Sequence, residues 1–415
     1  MNLLLKSPIS HLPSSISITG SKSETNRLLL LQALYPNLIL ENTSNSDDSE
    51  VMSKALKNFH LPSSNFQLID IHHAGTAMRF LTAFFAIQEN REVVLTGSSR
   101  MKERPIKILV DALRQLGAEI SYEENEGFPP IRIKGKKLTQ NKVSLPANVS
   151  SQYISALLLI APKLENGLEL TLESEITSVS YIKMTLSLLN EIGVETSSVG
   201  NKITVKSLSH IPNPLSLIVE SDWSSASYFY SIIALSEIGT EITLSSYKKN
   251  SLQGDSVLAE IYKSFGVETF FENNKIQLKK VDNCQLSTIN SQLNSSPDIA
   301  QTIAVTCFGL GIGCHLTGLH TLKIKETDRL LALKNELEKL GAQVSISDDS
   351  LTLEVSSEIK ENIKIKTYQD HRMAMAFAPL ALKTDIIIEE AEVVSKSYPA
   401  FWIDLKSIGV AIEEV

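Results

Sequence analysis

The chain repeats one local layout at nearly constant intervals: an amphipathic helix ends in a hydrophobic residue and glycine, and a short alternating strand follows. Four copies carry Gly117, Gly193, Gly266 and Gly341, spaced by 76, 73 and 75 residues: LVDALRQLGAEIS, LSLLNEIGVET, LAEIYKSFGVETF and LKNELEKLGAQVSI. Glycine is the usual helix stop, so one copy alone could be an ordinary helix-to-strand junction. The regular spacing instead predicts a repeated supersecondary unit.

Two weaker copies extend the series at both ends. LKSIGVAIEE, with Gly409, follows 68 residues after Gly341, and MSKALKNFHLPSS stands about one period before Gly117 without a glycine. About six units of roughly 70 residues would fill the 415-residue chain. This period is too long for a solenoid and suits an α/β subdomain with two helices and several strands. We therefore predict an α/β protein of two domains, each built from three units.

Composition limits the classes of partner. The hydrophobic fraction of 43% and charged fraction of 21% are typical of a soluble globular protein, and the formal charge of -8 argues against a general nucleic-acid or anionic-membrane surface. The apolar runs at the N-terminus and near Ile303 to Cys314 are too short for a signal peptide or a membrane span. Three cysteines without paired spacing predict buried thiols in the reducing cytoplasm.

Arginine is rare in this chain. Only nine of the 39 basic residues are arginine, and the other 30 are lysine. A chain that uses lysine so freely places arginine where a planar, two-point donor to carboxylate or phosphate is needed. The nine are Arg27, Arg79, Arg91, Arg100, Arg104, Arg114, Arg132, Arg329 and Arg372.

Four of these arginines lie just inside the start of an apolar-periodic helix, in GSKSETNRLLLL, AGTAMRFLTAFFA, KETDRLLAL and QDHRMAMAFAPLAL. Ser23 and Thr76 are the expected caps of the first two helices. The free amides and dipole of a helix start bind anions but disfavour cations. A neighbouring carboxylate such as Asp328 or Asp370 could offset one arginine. Recurrence at four helix starts favours a convergent site for a bound anion.

Three further helix starts carry polar groups suited to the same site. VSSQYISALLLIAP offers Ser150, Ser151 and Gln152 as donors, and ESDWSSASYFYSIIAL begins at Asp222. SSPDIAQTIAVTCFGL places Asp298 at its start, where the carboxylate is either a plain N-cap or a base held near bound anions.

Other chemistries fit the sequence less well. GSKS at Gly20 lacks the preceding glycine of a P-loop, and neither a GxGxxG after a strand nor a GxSxG occurs. His72 and His73 are adjacent, and the histidines and cysteines form no ligand cluster. We therefore expect no metal and no cofactor.

Motifs along nearly the whole chain, from about Gly20 to Pro399, resemble the 5-enolpyruvylshikimate-3-phosphate synthase family. They are GSKSETNR, AGTAMRF, LTGSSRMKERPIKILVDALRQLGA, SSQYISALLLIAP, QGD, KETDR, DHRMAMAF and SKSYP. The resemblance implies a two-domain inside-out α/β barrel in which each domain has three βαβαββ-type units. It places one domain at residues 1–20 plus about 221–415 and the other at about 21–220.

The resemblance also implies a reaction. The enolpyruvyl group of phosphoenolpyruvate would pass to the 5-hydroxyl of shikimate 3-phosphate with release of phosphate, as a step of aromatic amino acid biosynthesis. Both substrates are small polyanions, which suits a local basic site on an acidic protein. No nucleic acid, membrane or cofactor is expected, and the enzyme would act as a cytoplasmic monomer.

The family's roles carry over to matching positions in this sequence. The residues implied for shikimate 3-phosphate are Lys22, Ser23, Arg27, Ser150, Ser151, Gln152, Ser178, Tyr181, Asp298 and Lys325. Those implied for phosphoenolpyruvate are Lys22, Gly75, Arg79, Arg100, Gln152, Arg329, Arg372 and Lys396.

The reaction needs a proton donor to carbon and a base for the hydroxyl, with cations holding the phosphate. By resemblance Asp298 takes the hydroxyl proton and Glu326 protonates the methylene carbon. Lys325 positions the shikimate hydroxyls beside Asp298, and Lys22 joins the catalytic set. The sequence leaves open how these groups divide the acid and base roles between the two half-reactions.

The sequence departs from the family pattern at four positions. His73, Phe80, Ser180 and Thr321 stand where Asn, Pro, Pro and Asn are usual, so individual contacts and inhibitor sensitivity stay open. The alternatives are the sister transferase acting on UDP-N-acetylglucosamine and a noncatalytic binder of anionic metabolites. The segment Thr96 to Arg104 lacks the loop cysteine typical of the sister enzyme, and Asp298, Glu326 and Lys22 together argue against a pure binder.

Overall fold

The computed structural model describes residues 1–6, 15–59, 66–146, 150–173, 179–282, 288–356 and 358–415. These residues form two compact units. Unit 1 contains Met1–Gly20 and Glu220–Val415, and unit 2 contains Ser21–Val219.

Short strands make up the sheets of both units. They are β1 Leu3–Lys6, β2 Ser15–Ile16, β3 Leu38–Glu41, β4 Phe66–Asp70, β5 Glu92–Thr96, β6 Glu119–Tyr122, β7 Ile131–Lys134, β8 Lys142–Pro146, β9 Leu168–Glu173, β10 Thr196–Val199, β11 Lys202–Val205, β12 Leu215–Ile218, β13 Glu241–Ser245, β14 Val267–Glu272, β15 Lys275–Lys280, β16 Ile289–Gln292, β17 Cys314–Thr317, β18 Val344–Ile346, β19 Leu351–Leu353, β20 Ile363–Ile365, β21 Ile386–Ile388 and β22 Ala411–Glu414.

The α-helices lie between groups of these strands along the chain. They are α1 Lys22–Leu34, α2 Asp47–Phe59, α3 Gly75–Ala86, α4 Ser99–Lys102, α5 Lys107–Gln115, α6 Ser151–Ile160, α7 Val179–Glu191, α8 Trp223–Leu235, α9 Leu258–Ile261, α10 Ala300–Gly309, α11 Arg329–Lys339, α12 His371–Phe377 and α13 Phe401–Ser407.

Five four-stranded sheets share one pairing pattern. The first strand pairs in parallel with the second, the second pairs antiparallel with the third, and the third pairs antiparallel with the fourth. Unit 2 contains β4-β5-β7-β6 and β8-β9-β11-β10 together with the parallel pair β3–β12. Unit 1 contains β2-β13-β15-β14, β16-β17-β19-β18 and β20-β21-β1-β22. This recurrence confirms the predicted α/β fold of repeated βαβαββ units.

The repeated glycines end helices as the sequence predicts. Gly117, Gly193, Gly266, Gly341 and Gly409 all have a left-handed backbone, with φ between 72° and 105°. This conformation is strained for residues with a Cβ and closes a helix C-terminus. The helix predicted before Gly266 is α-helical only over α9, because a 3₁₀ turn over Tyr262–Phe265 completes that segment.

The helices that lead into the candidate site are the most buried elements. Every residue of α8 is buried, and α8 packs against α10, which in turn packs against α12. In unit 2, α3 packs against α6 and α1. A helix that is apolar all round belongs at the centre of a unit, so the polar groups at its start are held rigidly.

Two smaller predictions can be compared with the described chain. Cys307 and Cys314 are free and buried, as expected, whereas Cys284 lies outside the described residues. Across the ranges that the structure describes, no helix is both long enough and apolar enough to cross a membrane.

Candidate active site

Arg329 in unit 1 is the first residue of α11 and joins three carboxylates. Asp328 caps this helix by accepting a hydrogen bond from the Leu331 amide at 3.1 Å. The Arg329 guanidinium donates to Asp370 at 2.6 Å, to Asp298 at 2.8 Å and to Glu326 at 2.7 Å. The guanidinium therefore ties together the helix starts predicted to form one site.

Asp298 is the centre of this cluster. It lies within the 3₁₀ turn Pro297–Ile299 that precedes α10, so its interpretation as a plain N-cap is wrong. Arg329 binds one carboxylate oxygen, Arg372 donates to the other at 3.2 Å, and the Lys325 ammonium is 3.6 Å away. Three cations therefore surround one buried carboxylate.

The electrostatics of unit 1 correct one expectation. Burial lowers the pKa of Arg329, but Asp370, Glu326 and Asp298 raise it above its ordinary value. Burial likewise opposes the charge of Arg372, and Asp298 leads the groups that raise its pKa. Carboxylates of the protein thus offset Arg329. The alternative that a protein carboxylate offsets one of the arginines is therefore present at Arg329, but its partner Asp370 lies 41 residues away in the chain rather than beside it.

The turn that contains Asp370 also places Arg372 and Lys396. Asp370 is fully buried at the start of α12, where it accepts from the Arg372 amide at 2.8 Å. The preceding residue, Gln369, accepts from the Lys396 ammonium through its carbonyl at 2.8 Å. One short turn therefore brings together three of the side chains that the sequence assigned to phosphoenolpyruvate.

Asp255 is a member of this site that the sequence interpretation missed. It belongs to the QGD motif, is buried, and accepts a short hydrogen bond from the Ser224 hydroxyl. Burial and then the nearby charge of Asp298 raise its pKa to about 7. Ser224 follows Asp222, which caps α8 by accepting from the Ser225 amide at 2.8 Å, as predicted. The QGD motif was the available signal, but it carried no assigned role.

In unit 2, Arg27 lies in a polar pocket beneath the start of α1. Its guanidinium donates to Thr185 at 2.8 Å, to Ser155 at 3.1 Å, and to the carbonyls of Ser23 and Tyr181 at 2.7 and 3.4 Å. Burial lowers the pKa of Arg27 to about 10, and Tyr181 and Glu24 offset this only in part. A carboxylate or phosphate that reached this guanidinium would supply charge that hydroxyls and carbonyls cannot.

The expected caps in unit 2 are wrong. The N-cap of α1 is Ser21 rather than Ser23, and that of α3 is Ala74 rather than Thr76. Ser23 is instead in the first turn of α1, where its carbonyl accepts from Arg27. Lys22 opens the same helix and pairs with Asp48 at 3.4 Å. Lys22 and Ser23 are therefore together at one helix start, as the site prediction requires.

The starts of α3 and α6 meet through side chains. The Gln152 amide donates to the Thr76 hydroxyl at 3.1 Å, and Ser150 caps α6. Gly75 opens α3, and a Cβ at this position would lie 2.5 Å from a guanidinium nitrogen of Arg104. Arg104 was also missed as a site residue, although it stands in the RMKERP motif. Glycine at position 75 leaves the space that the Arg104 fork occupies.

Arg79 and Arg100 differ in their surroundings. Arg79 is buried and donates to the carbonyls of Gly75 and Pro105 at 3.1 and 3.0 Å, and burial followed by Arg104 lowers its pKa to about 10. Arg100 is exposed and pairs with Glu103 at 2.9 Å. Arg79 is therefore held within unit 2, whereas Arg100 points its charge to solvent.

The remaining predicted positions can be placed in part. Ser178 lies outside the described residues, and Ser151 is buried at the first residue of α6. Phe80 is fully buried with its ring centroid 5.4 Å from the Arg27 guanidinium carbon, so it supplies a flat face to that cation. The buried Thr321 hydroxyl has no hydrogen-bond partner among the described residues. Within the same residues, no group of three or more metal-ligating side chains comes together.

Comparisons with known proteins assign the family. Residues 60–405 match the model of EPSP synthase (3-phosphoshikimate 1-carboxyvinyltransferase). Two relatives bear the name 3-phosphoshikimate 1-carboxyvinyltransferase. The one from Bacteroides fragilis strain YCH46 is 45% identical, with 100% of this chain and 99% of the relative covered, and the one from Histophilus somni strain 2336 is 35% identical with 99% of each covered.

Solved structures agree on the fold. EPSP synthase from Acinetobacter baumannii superposes with a TM-score of 0.81 at 21% identity over 100% of both chains. The enolpyruvyl transferase NikO from Streptomyces tendae gives 0.76 at 12% identity, with 100% of this chain and 99% of that chain covered. These likenesses confirm the predicted enolpyruvyl transferase fold. By the family match and the full-length relatives, the chain belongs to the EPSP synthase family.

Proposed function

We propose that this protein is a 3-phosphoshikimate 1-carboxyvinyltransferase. It transfers the enolpyruvyl group of phosphoenolpyruvate to the 5-hydroxyl of shikimate 3-phosphate and releases phosphate. The family match and both named relatives support this reaction over transfer to UDP-N-acetylglucosamine. The observation that carries the mechanism is the Arg329 guanidinium, which bridges Asp298 and Glu326.

Asp298 is the proposed base. Lys325, Arg329 and Arg372 surround its carboxylate, which would take the proton of the 5-hydroxyl. The hydroxyl oxygen then attacks C2 of the enolpyruvyl group, which is electrophilic once the methylene carbon has been protonated. The resulting tetrahedral adduct expels phosphate and returns a methyl proton to a protein carboxylate, which restores the carbon–carbon double bond and gives the enol ether product.

Glu326 is the proposed acid for the methylene carbon. In the structure its carboxylate accepts a hydrogen bond from Arg329 at 2.7 Å. A phosphoenolpyruvate anion bound to Arg329 would compete for the same guanidinium. If Arg329 released Glu326 in this way, the proton affinity of Glu326 would rise. Substrate binding would then promote protonation of the proposed acid. Lys22 is proposed as a third catalytic group that neutralises the developing negative charge.

Unpaired donors support the proposed phosphoenolpyruvate ligands. The buried Nε groups of Arg372 and Arg79 have no hydrogen-bond partner among the described residues. Buried donors without partners are costly unless a ligand completes them. The proposed set for this substrate is Lys22, Gly75, Arg79, Arg100, Gln152, Arg329, Arg372 and Lys396.

The pocket around Arg27 supports the proposed shikimate 3-phosphate ligands in unit 2. Arg27, Ser23 and Tyr181 are in direct contact, and each charge-assisted hydrogen bond to a phosphate contributes about 1.5 to 3 kcal/mol. The proposed set is Lys22, Ser23, Arg27, Ser150, Ser151, Gln152, Ser178, Tyr181, Asp298 and Lys325.

We further propose that unit 1 and unit 2 are the two domains of the protein, and that it acts as a cytoplasmic monomer. The division of contacts supports the first proposal, and the unpaired cysteine spacing supports a reducing compartment. Light scattering of the purified chain at micromolar concentration tests the monomer; a mass near twice 45.7 kDa contradicts it.

A phosphate-release assay tests the reaction. Purified protein incubated with phosphoenolpyruvate should release phosphate only when shikimate 3-phosphate is present, with one enolpyruvyl product formed per phosphate by mass spectrometry. UDP-N-acetylglucosamine replaces shikimate 3-phosphate in a parallel reaction and should give none. Binding of both substrates without turnover would instead indicate a noncatalytic binder, and turnover with the nucleotide sugar would indicate the sister enzyme.

A further inference from the structure

A buried carboxylate on α11 is not used by the proposed chemistry. Glu336 lies seven residues after Arg329 on the same helix, and its side chain is fully buried. Two helical turns separate the two residues, so their side chains lie on the same face. A carboxylate is rarely buried unless its partners repay its desolvation, and the partners of Glu336 indicate what it does.

Among the residues that the structure describes, the partners of Glu336 outside its own helix lie in the turn between β20 and α12. One carboxylate oxygen accepts from the Lys366 amide at 3.0 Å, and the other accepts from the Tyr368 hydroxyl at 2.7 Å. Lys339, one turn further along α11, pairs with Glu336 and also donates to the Lys364 carbonyl at 3.4 Å. The charge of Glu336 is thus offset while its oxygens hold backbone and side chain of one short segment.

That segment is a tight turn, closed by the Asp370 amide, which donates to the Thr367 carbonyl at 2.9 Å. Tyr368 and Gln369 are consecutive residues other than glycine, with φ of 53° and 55°. Side chains with a Cβ adopt this left-handed conformation rarely, and two in succession persist only where surrounding contacts impose them. Glu336 supplies such contacts at Lys366, two residues before the strained pair, and at Tyr368 within it.

The same segment positions the cations of unit 1. Gln369 accepts from Lys396 through its carbonyl at 2.8 Å, and Asp370 binds Arg329 and caps α12 by accepting from the Arg372 amide. Helix α11 therefore contacts the turn twice, through Arg329 at its start and through Glu336 two turns later. A shift of the turn would move every one of these groups.

We propose that Glu336 is a positioning residue that fixes the 366–370 turn, and through it the geometry of Asp370, Arg372 and Lys396. It touches no reacting atom in this account, and it sets where the phosphoenolpyruvate ligands stand. The inference rests on the proposed function for its kinetic readout. Its structural part, the restraint of the turn by Glu336, is independent of the reaction.

The test compares Glu336→Gln with Glu338→Gln, which makes the same change at an exposed position of α11. The amide of Gln cannot accept from Lys366, Tyr368 and Lys339 as the carboxylate does. We expect Glu336→Gln to raise the KM for phosphoenolpyruvate about tenfold, because small misplacements of substrate-binding groups have large effects. The KM for shikimate 3-phosphate should stay within about twofold, and Glu338→Gln should match the parent enzyme.

A variant that removes a single turn contact, and a measurement that does not depend on turnover, test the proposal further. Tyr368→Phe removes one of the two turn contacts and should shift the same KM in the same direction by a smaller factor. Amide hydrogen exchange of the free proteins should be faster at residues 366–372 in Glu336→Gln than in Glu338→Gln.

Several outcomes decide the question. A lower melting temperature with unchanged or equally changed KM values would make Glu336 merely structural and overturn the proposal, as would unchanged exchange in the turn. If the parent protein shows no turnover at all, the proposed reaction fails, while the exchange comparison still confirms or overturns the restraint of the turn.

Discussion

Arg329 in unit 1 and Arg27 in unit 2 are equally buried, each with 2% of its surface exposed, but their charges are compensated in opposite ways. Three carboxylates contact Arg329, whose pKa lies above its ordinary value. Hydroxyls and carbonyls contact Arg27, and burial lowers its pKa to about 10. Burial alone therefore does not determine whether the pKa of a buried arginine lies above or below its ordinary value.

The difference suits two tasks. Both Arg27 and Arg79 donate to hydroxyl or carbonyl oxygens, and burial lowers the pKa of each to about 10, so an anion bound there would gain a charge-assisted hydrogen bond. The Arg329 guanidinium already binds carboxylates of the protein, so an incoming anion would compete with them for its donors. In the proposed function, unit 2 would hold negative charge of the substrates, and the carboxylates of unit 1 would move protons.

The largest expected effect comes from Asp298, the carboxylate that joins Arg329 to Arg372. Asp298→Asn keeps the shape but cannot take the hydroxyl proton, so we expect turnover to fall by about 100- to 10,000-fold. Calorimetric binding of phosphoenolpyruvate should be retained or tightened, since two arginines lose a competing partner. Turnover within about threefold of the parent would remove Asp298 from its role as base.

The next largest effect concerns stability. Arg329→Met leaves Asp298, Asp370 and Glu326 without their common cation, and breaking a buried ion pair at one partner costs about 3–5 kcal/mol. Urea unfolding measures this loss. Lys334→Met on the same helix removes an exposed pair with Glu338 at 3.8 Å and should cost at most about 1 kcal/mol. Equal losses of unfolding free energy in the two variants would show that the Arg329 network stabilises the protein no more than the Lys334–Glu338 pair does.

The contrast between the units also explains what the sequence could predict. The rarity of arginine and its recurrence at helix starts identified Arg27, Arg79, Arg329 and Arg372, because helix periodicity and composition are local signals. The glycine spacing identified the repeated unit, because a left-handed helix stop has few alternatives to glycine. These features depend on residues close together in the chain.

The compensation of each charge depends on residues far apart in the chain. Asp298 and Asp370 are 31 and 41 residues from Arg329, and Ser155 is 128 residues from Arg27. Asp370 was weighed as a partner of a nearby arginine, but its bond to Arg329 needs the fold. The buried Glu336 gave no signal, because a glutamate in an amphipathic helix is usually exposed.

The third prediction concerns the pH dependence of stability and rests on Asp255, a buried carboxylate of unit 1. Asp255 has its pKa raised from an ordinary 3.8 to about 7, by burial and by Asp298. The folded state therefore binds the proton more tightly than the unfolded state. Stability falls as the pH rises from about 4 to about 7, where only the unfolded state has lost the proton, and the loss is complete above that range.

Asp255→Asn is neutral throughout and should escape this loss. We expect its melting temperature, relative to the parent, to rise by several degrees between pH 4 and pH 8 and to level off above about pH 7. Asp348→Asn is the control, since Asp348 is fully exposed with its pKa lowered by Lys323. A constant difference between Asp255→Asn and the parent across this range would contradict the raised pKa.

The smallest expected effect on stability separates the two arginines most directly. Arg27→Met removes a charge without stranding a directly bonded carboxylate, and the Ser155 and Thr185 hydroxyls, 3.0 Å apart, can still bond to each other. The apolar side chain keeps contact with the rings of Phe80 and Tyr181. We therefore expect urea unfolding to change by no more than about 1 kcal/mol, against about 3–5 for Arg329→Met. Calorimetry should nevertheless show shikimate 3-phosphate binding weakened at least tenfold, because a charge-assisted bond to phosphate is lost. A stability loss as large as that of Arg329→Met would mean that hydroxyls and carbonyls compensate a buried guanidinium as fully as carboxylates do, and the distinction between the two units would fail.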